Sequence, residues 1–143
     1  MIGAQLPLQA NDTWTLALLT NPEVLAVQNT TTGNTPVAVV APGGPDQHAW
    51  VAVPAAAAGA AAAAAAVGDG GAPLAYVALF NAGDAEDKVG VSLASAGVPP
   101  SATVCVRDLW QRAEVPGTLP GSGTLAATLP PHGAGLYSVW VCG

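Results

Sequence analysis

Trp14-Thr-Leu-Ala-Leu-Leu-Thr-Asn-Pro-Glu-Val-Leu-Ala-Val-Gln-Asn29 is the stretch on which the reading of this chain turns. Leu16, Leu18 and Leu19 fall on one face at helical spacing, and Pro22 ends that first helix. Asn21 is placed to cap a second short helix, with Pro22 at its first position and Glu23 beside the positive end of its dipole. Val24, Leu25 and Val27 continue the apolar face. Two or three turns of helix cannot bury such a face alone, so the segment must pack on something larger.

Downstream, the pattern changes from helical to extended. Residues Asn29 to Thr35 are polar and turn-prone and read as a linker. Val37 to Val40 is a first β-like run. His48 to Val53 alternates, with Ala49, Val51 and Val53 on one face. Leu74 to Phe80 is apolar on both faces, as a central strand would be. Asn81-Ala-Gly-Asp84 turns it. Val89, Val91 and Leu93 then alternate with Lys88, Gly90 and Ser92. Thr103 to Arg107 follows the break at Pro99-Pro100. Leu125, Ala127 and Leu129 alternate with Thr124, Ala126 and Thr128, and Leu136 to Val141 closes the series. Short strands between Gly and Pro turns predict an antiparallel β-sandwich. The run Ala55 to Ala66, broken only by Gly59, is an insertion in the connection between two strands. It is too short and too weakly hydrophobic for a good membrane span, and surface insertions of this kind cost little loop-closure entropy.

Composition sets bounds on function. A chain of 143 residues is one domain by default. Apolar residues make up 51%, but alanine inflates that figure, so Val, Leu and four tryptophans must supply the core. Net charge is −6, and Lys88, Arg107 and Arg112 are the only Lys and Arg residues. No basic patch exists to neutralise phosphates, which argues against nucleic acid and against an anionic membrane surface. The N-terminus has no basic segment followed by an apolar run, so no signal peptide is expected. Cys105 and Cys142 leave two readings open: one disulfide, or two buried thiols packing as small hydrophobes. Asn11-Asp-Thr13 and Asn29-Thr-Thr31 are candidate N-glycosylation acceptors, whereas Asn34-Thr-Pro36 is not. Asn11 and Asp12 have an alternative use as helix caps.

Taken together, the helical stretch, the preceding Met1-Ile-Gly-Ala-Gln-Leu6, the segment Asp108-Leu-Trp110 and the run from Pro130 to Gly133 resemble the C-terminal portion of family-27 glycoside hydrolases, the α-galactosidases. The resemblance implies the last strand and helix of a (β/α)8 barrel over residues 1–29, then an antiparallel β-sandwich over 30–143 with the insertion at 55–66. Met1 would sit inside a barrel strand, as an internal methionine used as a start or the edge of an incomplete gene model. Two positions depart from the family. Ala4-Gln5 stands where Asn-Asp is common, and Gln28-Asn29-Thr30-Thr31 stands where Asn-Gln-Asp-Pro is common. Substrate preference in an intact enzyme could therefore differ from terminal α-galactose.

Retaining glycosidases need two carboxylates about 5–5.5 Å apart, on the C-terminal ends of barrel strands in an enzyme of this architecture. The resemblance puts both upstream of Met1, so no catalytic residue is assigned here. No cofactor or metal site is assigned either. Asp84, Glu86 and Asp87 read as a solvated turn cluster that offers too few ligands in a defined loop for calcium. Asp108 reads as a local hydrogen-bond or ion-pair partner after Arg107. His48 and His132 lack zinc-like neighbours, and the resemblance implies a structural hydrogen bond for His132. Core packing is the expected use of the tryptophans.

Two functions follow as expectations: the C-terminal part of an α-galactosidase, inactive alone, or a stand-alone β-sandwich module that binds carbohydrate or protein. The barrel-type N-terminal segment favours the first, because a self-sufficient sandwich has no need of it. The α-galactoside would be a partner only of the intact parent, which is expected to be secreted, vacuolar or lysosomal. The compartment of this chain stays open. Without barrel neighbours, the face of Leu16, Leu18, Leu19, Leu25 and Val27 should drive self-association, and removal of residues 1–29 should improve solubility.

Overall fold

The apolar runs become nine strands among the residues that the computed structural model describes, 13–41, 44–55 and 72–143. The barrel-type strand expected at Met1 to Leu6, the acceptor Asn11 and the alanine tract beyond Ala55 lie outside those residues. Two helices lead, α1 (Thr13–Leu19) and α2 (Pro22–Thr30). The strands are β1 (Thr31–Val37), β2 (Val39–Ala41), β3 (Gln47–Pro54), β4 (Pro73–Asn81), β5 (Asp87–Ser92), β6 (Thr103–Asp108), β7 (Ala113–Pro120), β8 (Thr124–Leu129) and β9 (Ala134–Val141). A 3-10 turn, Leu93–Ala96, follows β5.

They pair into a six-stranded sheet of order β1-β3-β4-β9-β6-β7 and a three-stranded sheet of order β2-β5-β8, every pair antiparallel. Period-two alternation explains the core between them. Ala49 and Val51 of β3, Ala75, Val77 and Leu79 of β4, Val104 and Val106 of β6, and Tyr137 and Val139 of β9 face inward. Val89, Val91, Leu125 and Leu129 meet them from the smaller sheet. Leu93 is fully buried as expected, but from the 3-10 turn rather than from a strand.

Three segments differ from the expectation. The supposed linker is not one: Asn29 and Thr30 finish α2, and Thr31 to Thr35 belong to β1. The polar side chains misled because β1 is an edge strand, and one side of an edge faces water. Its bulge between Thr31 and Asn34 contains Gly33 at φ 80°, a conformation that costs glycine little. The Val37 to Val40 run splits at Ala38, where the chain leaves one sheet for the other. β7, the opposite edge of the large sheet, has nearly every residue exposed and carries Pro116 and Pro120, so it shows no hydrophobic alternation to read.

The Cys105–Cys142 disulfide is formed, with Cα atoms 5.3 Å apart. It ties β6 to the end of β9, where Cys105 lies opposite Trp140 and the Cys142 N–H donates to the Thr103 carbonyl.

Candidate docking surface

The outer face of the six-stranded sheet is where the helical stretch comes to rest. Asn21 caps α2 as its type predicts: its Oδ1 accepts from the Glu23 and Val24 N–H groups at 3.0 and 3.4 Å. The other end of the same amide reaches across the fold. Its Nδ2 donates to the Leu109 carbonyl at 2.7 Å, with Asn21 buried. One residue thus starts the helix and anchors it to the sheet.

Glu23 is the second anchor. Arg107 Nε donates to its Oε2 at 2.8 Å and Arg107 Nη2 to its Oε1 at 2.9 Å, a two-pronged contact matched to carboxylate geometry. Arg112 Nε adds a contact to Oε1 at 3.2 Å. Arg112 has a positive φ of 55° in the turn between β6 and β7, next to the segment where Asp108 Oδ1 accepts from the N–H groups of Trp110 and Gln111. The Arg107 guanidinium holds the Glu23 carboxyl below its ordinary value against the opposing effect of burial, and Arg112 adds to the lowering. Asp108 therefore caps its own turn. Of the two local roles expected for it, the hydrogen bond is the one it plays, while the ion pair of Arg107 goes to Glu23 on α2.

Beneath α2, Ala52, Tyr76 and Leu109 are buried, with Val24, Val27 and Leu136 packed on them. These residues project from β3, β4 and β9 opposite to the core, or from the turn after β6. Leu25, expected on the packed face, is 43% exposed, and Leu16 and Leu19 are 50% and 64% exposed. The seated face is Asn21, Glu23, Val24 and Val27, so Leu16, Leu19 and Leu25 point elsewhere, while Leu18 is half-buried.

Two open grooves border the helical stretch, one against α2 and one against α1. One of about 350 Å³ includes Val27, Asn34, Trp50, Tyr76, Phe80 and Leu136 in its lining. The other, of about 600 Å³, includes Leu18, Trp110, Pro130, His132 and Tyr137. Core packing of the tryptophans holds for Trp140, which is buried, but Trp50 and Trp110 are 41% and 37% exposed. The cause is geometric: Trp50 is on the outer face of β3 and Trp110 in a surface turn, where among the described residues no second layer covers them.

The remaining sequence candidates are dispersed. His132 Nε2 lies 3.1 Å from Asp84 Oδ1, a contact between two exposed side chains at one end of the sandwich. Asp84 and Glu86 are exposed. Asp87 accepts from Gln47 Nε2 at 2.5 Å and from the Lys88 N–H. His48 is exposed on β3. Asn29 is exposed in the last turn of α2. Among the described residues, no group of three or more His, Cys, Asp or Glu side chains could hold a metal ion, and no helix is long and apolar enough to cross a membrane. The residue that sequence reasoning passed over is Asn81, treated as a plain turn former. It is buried, its Nδ2 lies within hydrogen-bond distance of the carbonyls of Ala85, Leu129 and Pro130, and its Oδ1 accepts from Gly83 N–H. An Asn at the end of an apolar strand is the signal that could have marked it.

The seat of α2 changes what truncation should do. Deleting residues 1–30 uncovers Tyr76 and Leu109 and leaves Arg107 without its carboxylate. We expect a cost of about 3 kcal/mol, at roughly 1.5–3 kcal/mol for each large apolar side chain re-exposed, and more association rather than less. Thermal melting and sedimentation of both forms check this; a truncated chain that is monomeric and melts with the parent would show that α2 contributes nothing to the sandwich.

The likeness to known proteins follows the same outline. No curated protein matches the chain. Among solved structures, a family-27 β-L-arabinopyranosidase from Geobacillus stearothermophilus is 28% identical with a TM-score of 0.69, covering 93% of this chain and 25% of its own. α-Galactosidase I from Mortierella vinacea is 22% identical with a TM-score of 0.65, covering 89% and 28%. The α-galactosidase from Saccharomyces cerevisiae is 14% identical with a TM-score of 0.59, covering 88% and 37%. The last two show the shared fold. The chain thus spans about a quarter to a third of the length of these proteins. The family model for the α-galactosidase C-terminal β-sandwich domain matches residues 57–139, more than half of the chain. On that match, and on the sandwich just described, this chain belongs to the family of α-galactosidase C-terminal β-sandwich domains.

Proposed function

We propose that this chain is the non-catalytic C-terminal part of a family-27 glycoside hydrolase, with residues 1–29 derived from the last strand and helix of the barrel and 30–143 forming the sandwich. The observation that carries this reading is the helix α2, anchored to the sandwich by Asn21 and Glu23 while Leu16, Leu19 and Leu25 stay uncovered. A helix held on one side by the sandwich and apolar on another suits a joint between two bodies. In the parent, two barrel carboxylates would cleave terminal α-galactosides, or a related pyranoside, through a covalent glycosyl-enzyme. That chemistry needs no cofactor or metal. Glu23 cannot stand in for either carboxylate, because two guanidinium groups already occupy it. The Cys105–Cys142 bond suits an oxidising compartment, in line with a secreted, vacuolar or lysosomal parent. In the isolated chain, the uncovered leucines are a surface for self-association. The net charge of −6 disfavours nucleic acid and anionic membranes as partners. Purified chain is expected to hydrolyse an aryl α-galactoside no faster than buffer. Turnover that survives repurification and tracks the protein would overturn the non-catalytic reading.

One observation favours the alternative, a stand-alone module that binds carbohydrate. Trp50 and Phe80 border an open groove with no charged side chain among the described residues that line it, suited to the apolar face of a neutral sugar ring. Titration of galactose against tryptophan fluorescence separates the two. A saturable change lost in Trp50→Ala supports the module, and an unchanged spectrum supports the joint.

A further inference from the structure

We propose that Asn21, Glu23, Arg107 and Arg112 form an acid-released latch: α2 stays seated on the sandwich while Glu23 is ionised and leaves it, with the sandwich still folded, once Glu23 is protonated. Three observations carry this. First, the charged contacts between α2 and the sheet converge on one carboxylate, which faces Arg107 from β6 and Arg112 from the following turn. Second, α2 brings few apolar side chains of its own to the seat, since Val24 and Val27 are half-buried over Tyr76 and Leu109 and Leu25 is exposed. Third, the main core lies between the two sheets on the far side of β3, β4 and β9, and the disulfide ties β6 to the end of β9 without α2. The sandwich therefore keeps its interior when the helix departs.

The surroundings of Glu23 make the switch single-handed. It is the one ionisable residue of α2. From the packed elements, β6 and its turn supply Arg107 and Arg112, β7 supplies Glu114 opposite Arg107, and β4 supplies Tyr76, whose phenol burial keeps neutral throughout the acid range. β3 and β9 present Ala52 and Leu136 to the helix. Protonation of Glu23 removes the charge that both guanidinium groups share and leaves Arg107 with Glu114. The direction follows from the lowered Glu23 value. The latch is fully effective above the ordinary glutamate range and is lost as pH falls through the lower value of the folded state.

The test is amide hydrogen exchange of the whole chain, followed residue by residue from neutral pH down through the carboxylate range. As pH falls from the ordinary glutamate range to the lower value of seated Glu23, protection of α2 should fall by up to about tenfold per pH unit, the slope for uptake of one proton, and then level off, while amides of β4 and β9 hold. In Glu23→Gln the helix should be open at neutral pH and indifferent to acid. In Arg112→Ala, a change at a side chain that is 58% exposed, release should begin at higher pH because one cation favouring the ionised carboxyl is gone. That variant decides the matter should Glu23→Gln fail to fold. Loss of protection in α2, β4 and β9 together, an α2 indifferent to pH in the unaltered chain, or an unchanged release point in Arg112→Ala would each overturn the latch.

Discussion

Breaking the Cys105–Cys142 bond is expected to lower the stability of this chain by about 4 kcal/mol, the value that the chain-entropy relation gives for a closed loop of this size. The two cysteines are 37 residues apart, and the loop between them contains β7, β8 and all of β9. The bond holds the end of β9 beside β6. In the unfolded ensemble, the same bond denies the loop most of its freedom. The double replacement Cys105→Ala with Cys142→Ala is the suitable variant, because both side chains are half-buried and a hydroxyl there would need a partner. For a chain of this length the melting midpoint should fall by about 12 °C. Addition of reductant should move the unaltered chain to the same midpoint and leave the variant where it is. Equal midpoints for the oxidised chain and the variant, with thiols titrated to confirm reduction, would show that the end of β9 is held by its ladder alone.

The second large effect is expected at Asn81. Its amide joins the end of β4, the bend at residues 83–85 and the end of β8, and the residue is 3% exposed. Replacement by Ala removes a donor shared among three carbonyls, the Leu129 contact being buried, and the acceptor of the Gly83 N–H, at an expected cost of about 3 kcal/mol. Asn81→Asp is the more telling change because it preserves shape. At neutral pH it turns a donor facing three carbonyl oxygens into a charged acceptor, so it should cost more than Ala. Protonation restores one donor, so the Asp carboxyl should titrate above the ordinary aspartate range in the folded state. The folded variant then holds its proton more tightly than the unfolded chain. Its deficit should be smallest in acid and grow as pH rises through that raised value. Denaturant midpoints of both variants across the acid range check this. A deficit for Asn81→Asp that does not grow with pH would mean that the site is open to water.

Much of this architecture was legible in the residues themselves. Asn21-Pro-Glu23 announces a helix start through local chemistry: an amide that accepts from the first free N–H groups, a ring that needs no donor, and a charge beside the dipole. The alternating runs at Val89 to Leu93 and Leu125 to Leu129, and the apolar run through β4, predict half-buried and central strands, because one side chain in two must leave water when a sheet has one wet face. The edges were not legible. β1 and β7 are polar or proline-bearing, since an edge strand must not advertise itself, and they are strands because β3 and β6 offer them free backbone partners. Nor could sequence assign partners across long separations. Glu23 and Arg107 are 84 positions apart, and Asn21 and Leu109 are 88. Nothing in either segment says that one carboxylate will take two guanidinium groups, or that Asn81 will bind carbonyls from β8. Helical periodicity placed Leu16, Leu18, Leu19, Val24, Leu25 and Val27 on one apolar face, but only contact with the sheet decides which of them are covered. The sheet selects Val24 and Val27, whose neighbours Asn21 and Glu23 find hydrogen-bond partners there, and it leaves Leu16, Leu19 and Leu25 to the solvent.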